Sequence, residues 1–284
     1  MKLKRIGAAL LAAALMTVFF AGCGAETGSD VSNQSNVSDQ SGSTVKKEKL
    51  RVATNAEFLP WEGLSEDGDY IGFDMDLIRL IGEKIGMEVE ISNMDFNGVV
   101  GSIPSGTCDV GIAGLTITPD REKNVAFSES YHETAQILIV RQNDNIFTGT
   151  TKEELDEQLK NKTVGVCEGF TGEQYANGAD DLGYPGIEGA DIKVYKNISL
   201  AIADLKNNVV DVVIMDDTVA KNAASTDENK NDVRVIDVPL TVEKYAIALK
   251  KGNTELKEKI DKALQEIKDS GKLDELKETW KIGE

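Results

Sequence analysis

A single histidine, His132, stands in 284 residues, and that scarcity removes whole classes of chemistry. A His-based zinc site needs several imidazoles, and a Ser-His-Asp triad needs one free in a cleft. Cysteine is almost as sparse: Cys23, Cys108 and Cys167. An exported chain permits a disulfide between the last two, but nothing in their spacing requires it, and two buried thiols are expected. No Gly-x-x-x-x-Gly-Lys-Ser/Thr loop occurs; the nearest run, Gly101 to Thr107, lacks the lysine. Positive charge is also short, with 31 basic residues against 49 acidic ones for a net −18. Such an acidic surface argues against nucleic acid and against anionic lipid as partners. No metal and no cofactor is expected.

What is present starts with a leader. Lys2, Lys4 and Arg5 precede an apolar run, Ile6 to Phe20, too short for a membrane span and shaped like an export signal. Phe20-Ala-Gly-Cys23 resembles the lipobox of bacterial lipoproteins, with Phe20 where leucine is usual. The resemblance implies a signal peptide over 1–22 and a lipid such as palmitate on Cys23, anchoring the mature chain to the cell membrane. The alternative is a plain signal peptide with an incidental cysteine. Losing the three leader cations takes the net charge to −21. Residues 23–48, rich in Gly, Ser, Asn, Gln and Asp, have little to bury and are expected to be a flexible tether.

From about Lys49 onward, β-branched runs alternate with amphipathic windows. Leu50–Thr54, Val89–Ile91 and Asp109–Ala113 are predicted strands. Between them lie predicted helices over Asp74–Gly86, with Phe73, Leu77, Leu80, Ile81 and Ile85 on one face, and Phe96–Ser105. Asp74 and Asp76 fall in the first turn, where the helix dipole favours acids. This βαβαβ order predicts a parallel sheet. A second series follows, with strands at Ile137–Val140, Thr163–Cys167, Ile192–Tyr195, Val209–Met215 and Val233–Val238 and helical windows between them. A long charged helix, Thr254–Ser270, and a last one over Leu273–Trp280 close the chain. Two α/β series imply two lobes with a cleft at the carboxyl ends of their strands.

Five segments lie at those ends: Asn55–Trp61, Phe96, Gly114–Arg121, Glu168–Gly172 and Asp216–Asp217. In Ala113-Gly-Leu-Thr-Ile-Thr-Pro-Asp-Arg121 a strand feeds a helix start. Free backbone N–H groups, the Thr116 hydroxyl and the Arg121 guanidinium suit one small carboxylate. The plainer alternative is a capped helix with Arg121 in solvent. Asp216 or Asp217 is expected to cap the following helix.

Several motifs in order now resemble a family. Gly72-Phe-Asp-Met-Asp-Leu-Ile-Arg-Leu-Ile-Gly-Glu-Lys-Ile85 is similar to the signature of bacterial solute-binding proteins for polar amino acids, which feed ABC importers. Ala53–Trp61, Met94–Gly98, Ala113–Arg121, Val125–Ser128 and Asp211–Asp216 continue the likeness. It implies an α/β, two-lobed fold of the type II periplasmic-binding-protein kind, with two hinge strands and a cleft between lobes. Lobe one is then 49–130 plus 246–284, lobe two 136–240, and the hinges 131–135 and 241–245. The resemblance implies that Arg121, with N–H groups of Thr116 and Thr171, meets a ligand carboxylate. Asp216, the Gly114 carbonyl and the Thr116 hydroxyl would meet its ammonium, beside Ala113. Phe58, Trp61 and Phe96 match aromatics that sandwich the ligand side chain, although aromatics also fill cores. Asn55, Cys167 and Glu168 match positions near the far end of the ligand. Asn55 stands where relatives often have aspartate, which favours a neutral polar ligand; Glu168 either restores a charge or is a solvated loop acid. Phe170 stands where smaller residues are common.

The implied function is capture of an amino acid outside the cell by a monomer and its delivery to an ABC permease. Two alternatives use the same lobes: an extracellular enzyme of dehydratase type, which needs a poised acid or base, and a receptor component presenting an amino acid to a membrane partner.

Overall fold

The first long helix forms where apolar residues recur at helical spacing. In this computed structural model, which describes residues 47–283, α1 (Phe73–Ile85) buries Phe73, Leu77, Ile78 and Ile81 on one face. Gly86 ends it in the left-handed conformation that favours glycine. The expected signal peptide, Cys23 and the tether up to residue 46 lie outside the described residues.

Lobe one opens with β1 (Lys49–Thr54) and a short hairpin, β2 (Gly63–Leu64) and β3 (Tyr70–Ile71), before α1. It continues through β4 (Glu88–Asn93), α2 (Phe96–Ser102), β5 (Val110–Gly111), α3 (Pro119–Asn124) and β6 (Ala126–Phe127). The chain then crosses on β7 (His132–Thr134) into β8 (Gln136–Arg141), α4 (Lys152–Leu159), β9 (Thr163–Cys167), α5 (Thr171–Asn177), β10 (Asp191–Tyr195), α6 (Ile198–Lys206), β11 (Val212–Asp216), α7 (Asp217–Ser225) and β12 (Val233–Ile236). It returns on β13 (Glu243–Tyr245) to β14 (Ala248–Leu249), α8 (Thr254–Asp269) and α9 (Lys272–Trp280).

The first sheet has the order β4-β1-β5-β14-β6 and the second β10-β9-β11-β8-β12. The βαβαβ strands of the first series are parallel as predicted, and each sheet as a whole is mixed. β1 runs parallel to β4 and β5, and β9 to β10 and β11, as βαβ crossovers require. β14 and β8 run antiparallel to their neighbours. The reason lies in the entry route. Each follows a crossing strand directly, without a crossover helix, and so enters its sheet at the end where the parallel strands finish. Thus Gln136, at the start of β8, pairs with Asp216, at the end of β11. The crossing strands β7 and β13 pair antiparallel with each other as a two-stranded ribbon, with Glu243 opposite Thr134 and Tyr245 opposite His132.

One apolar cluster packs α1, α8 and α9 on the first sheet and includes Phe58, Tyr245 and Phe170 together with Ile198, Ala201 and Val219 of α6 and α7. Among the described residues, no helix is long and apolar enough to cross a membrane.

Candidate functional site

Both sheets turn the carboxyl ends of their parallel strands toward the ribbon, and the polar residues buried there cluster. Arg121 sits in α3, where Thr118 caps the helix by accepting from the Arg121 N–H at 3.2 Å and Pro119 takes the first position. The guanidinium folds back. Nη1 donates to the Thr116 carbonyl at 2.7 Å, and Nη2 crosses to the Gly169 carbonyl of lobe two at 3.0 Å. It also lies over the Phe96 ring, 5.2 Å from the centroid. Only 7% of Arg121 is exposed, so it is not the solvated residue of the plainer reading. Burial pulls its pKa down, and the charges of Glu243 and Asp216 hold it up. Its direct partners among the described residues are carbonyls and a ring, not a carboxylate.

Asp216 ends β11 and occupies the position before α7, yet its side chain makes no cap bond. It turns instead to the hydroxyl of Tyr245, which donates to Oδ1. Burial, then the charge of Glu243, pushes its pKa up to about 7. Asp217 takes the local role: its Oδ1 accepts from Thr218 N–H at 2.5 Å and from Thr134 Oγ1 at 2.9 Å, tying α7 to the ribbon.

Gly114 is held in a left-handed conformation, φ 52°, and a Cβ there would lie 2.8 Å from the Phe58 ring. Its N–H donates to Asp74 Oδ2 at 2.8 Å, which also accepts from Tyr131 at 2.9 Å. Asp74 is therefore not a solvent-facing dipole acid; it is fully buried and anchors the cleft floor. Burial raises it to about 7, and the neighbouring buried Glu62 is pushed well above the ordinary carboxylate range by burial and by Asp74.

Phe58 meets Phe170 edge-on with centroids 5.1 Å apart, and Phe96 meets it at 4.3 Å. Lobe one thus supplies two aromatics and lobe two the third. Trp61 lies behind them, fully buried, edge-on to Tyr245 at 5.1 Å and Phe73 at 5.2 Å. Ala113 packs in the core with Val99, Ile103 and Leu115. Asn55 donates to the Met94 carbonyl at 3.0 Å and so fixes a loop. Cys167 and Cys108 are separate buried thiols, and burial pushes the Cys167 thiol up. Glu168 is half-exposed and ion-paired with Lys196. The structure brings Phe58, Phe96, Gly114, Thr116, Arg121, Thr171 and Asp216 together; Cys167 lies in the same buried cluster as Phe58 and Phe170, while Asn55 holds its loop and Glu168 is tied to Lys196.

One residue of the cluster escaped sequence reasoning. Glu243 is buried, and its carboxylate accepts from Thr116 Oγ1 at 2.8 Å, Thr171 Oγ1 at 2.7 Å and Thr241 Oγ1 at 2.8 Å. No signal in the sequence marks it: Thr241, Glu243 and Tyr245 face inward while Val242 and Lys244 are exposed, so an apolar residue lies outside and an acid inside. The lobes touch elsewhere too: Asn197 donates to Glu57 at 3.0 Å and Asn222 to the Leu59 carbonyl at 3.2 Å. No group of three or more metal-binding side chains occurs among the described residues.

Comparison with known proteins bears on this arrangement. The family profile for bacterial extracellular solute-binding proteins, family 3, matches residues 50–284. The chain is 32% identical over 275 residues to the arginine-binding extracellular protein ArtP of Bacillus subtilis (strain 168), with 97% of each chain covered. Among solved structures, an ancestral arginine-binding protein bound to glutamine is 38% identical with a TM-score of 0.72, covering 84% of this chain and 99% of that one. An ancestral arginine-binding protein bound to arginine is 39% identical with a TM-score of 0.71, covering 82% and 98%. A profile match running from β1 to the C-terminus, and a relative aligned almost end to end, fix the membership: this chain is one of the bacterial extracellular solute-binding proteins of family 3.

Proposed function

We infer that this protein captures a free L-α-amino acid outside the cell and delivers it to an ABC permease, with closure of the two lobes over the ligand. The observation that carries this is a buried guanidinium on one lobe and a buried carboxyl group on the other. Arg121 and Asp216 touch only neutral groups directly, and leaving charges so placed is costly unless a partner arrives. An amino acid supplies both partners at once. Its carboxylate suits the two-pronged guanidinium and the N–H of Thr171 at the start of α5; its ammonium suits Asp216, the Gly114 carbonyl and Thr116. The matched relatives are described as binding proteins, which supports release of the ligand unchanged.

The side chain is a cationic one, arginine before lysine. Asn55 alone pointed to a neutral ligand, but the buried cluster holds two acids, Asp216 and Glu243, against one guanidinium. A cationic guest balances that excess. The relatives named as arginine-binding support the same choice. Glutamine is the second reading, favoured by the uncharged Asn55 and by the ancestral protein described with glutamine. Calorimetry of the folded domain against the twenty amino acids tests both: one-to-one binding of L-arginine with ligand recovered intact is expected. Binding of none of the twenty, or recovery of a converted product, refutes the proposal.

A further inference from the structure

A hydroxyl carries one proton and two lone pairs, so where its proton goes decides what it offers a guest. Glu243 Oε2 accepts from both Thr116 and Thr171, and Oε1 accepts from Thr241. Thr171 Oγ1 in turn accepts from Gln136 Nε2 at 3.0 Å. The protons of all three threonine hydroxyls are therefore directed to Glu243 on the ribbon. Gln136 leaves its buried carbonyl oxygen without a partner among the described residues. The cluster is rich in acceptors and poor in donors. Thr116 belongs to lobe one, Thr171 to lobe two and Glu243 to β13, so one carboxylate sets the direction for both walls of the cleft.

We propose that Glu243 is a positioning residue that makes the cleft amine-selective: by holding the Thr116 proton, it leaves that hydroxyl with lone pairs only, to accept from a ligand ammonium. This rests on the reading that the cleft binds an α-amino acid. An ammonium has donors and no acceptor, so it matches a hydroxyl locked in this sense. A ligand without the amine leaves the lone pairs of Thr116 facing nothing that can donate. Glu243 acts through Thr116 and does not itself bind the guest.

The test compares paired ligands by calorimetry: L-arginine with 5-guanidinopentanoate, and L-glutamine with 4-carbamoylbutanoate, each pair differing only in the α-amine. Glu243→Gln has a side-chain NH2 that donates to one hydroxyl and so reverses its direction. It is expected to weaken the amino acid about tenfold or more and the amine-free partner by less than about threefold. Glu243→Asp keeps the charge but withdraws the acceptor, and is expected to lower the amine preference in the same direction; it serves if Glu243→Gln does not fold. In a Thr116→Val background, Glu243→Gln should leave the preference where Thr116→Val put it. Equal losses for both members of a pair, or an unchanged preference, overturn the proposal and leave Glu243 a structural brace. If the unaltered protein binds neither L-arginine nor L-glutamine, the reading of the cleft fails first, and this inference with it.

Discussion

In the proposed function, Arg121 is the residue on which ligand affinity turns. Its guanidinium is held by two carbonyls and an aromatic face, a rigid frame that leaves part of the fork for an incoming carboxylate. Arg121→Ala should weaken L-arginine by about 2–5 kcal/mol in calorimetry, because it strips one partner from a desolvated charge pair. The buried acids give a second residue-scale expectation. Asp74 and Asp216 keep their protons up to about pH 7 when folded but lose them near their ordinary value of 3.8 when unfolded. Glu62 shifts in the same direction. Groups raised in this way stabilise fully below the unfolded value, and that stability is lost as pH rises through the folded one. His132 acts oppositely: burial lowers it from 6.5 to about 4, so its contribution is lost as pH falls through that window. Above about pH 6.5 only the carboxyls count, so the melting temperature of the ligand-free domain should fall from about pH 6.5 to 8. A bound ammonium favours ionised Asp216, so the rise in melting temperature on adding L-arginine should be larger at the higher pH. Calorimetric scans at both pH values check the two signs.

At the scale of elements, α1 shows what a sequence discloses and what it withholds. Its helical spacing was plain, and the observed helix starts and ends within a residue of the expected one. The role of Asp74 was not plain, because an acid in a first turn satisfies the helix dipole equally well facing outward. Only the fold brings Gly114, forty residues on, over its carboxylate. The same holds for Glu243, whose inward register shows only in the fold and whose partners Thr116, Thr171 and Thr241 come from three separate stretches of chain. That Arg121, Asp216 and the aromatics come together at one cleft was legible, because their motifs follow one another in the order of the family. The parallel strands β4-β1-β5 were legible from the βαβαβ order; the antiparallel β14 and β8 were not, because strand–helix alternation says nothing of strands that enter from a crossing. The entry to α1 is itself exacting. Gly72 has φ 125° and ψ 165°, a region open essentially to glycine alone, and a Cβ would lie 2.2 Å from the Trp61 carbonyl oxygen. Gly72→Ala should cost about 1–3 kcal/mol in urea unfolding. Displacement of α1 would also shift Asp74 and the Gly114 it holds, so ligand affinity should fall with stability.

Across the whole molecule, two mixed sheets share one ribbon, and the groups proposed to bind the ligand are divided between them. The two-lobed layout was legible from the repeated strand–helix series; the contacts across the cleft were not, since residues such as Gly169 and Arg121 are joined only when the lobes meet. The proposed placement at the cell membrane depends on Cys23. Cys23→Ser should abolish incorporation of labelled palmitate and release the protein from the membrane fraction, while the folded domain binds its amino acid unchanged.

The most direct measurement is a crystal structure of the unaltered domain with L-arginine. The account predicts the α-carboxylate on the Arg121 guanidinium and the α-ammonium against Asp216 and the Thr116 hydroxyl, with both lobes in contact with the ligand. An amino acid bound in the reverse sense, or seated where neither Arg121 nor Asp216 reaches it, would contradict the account.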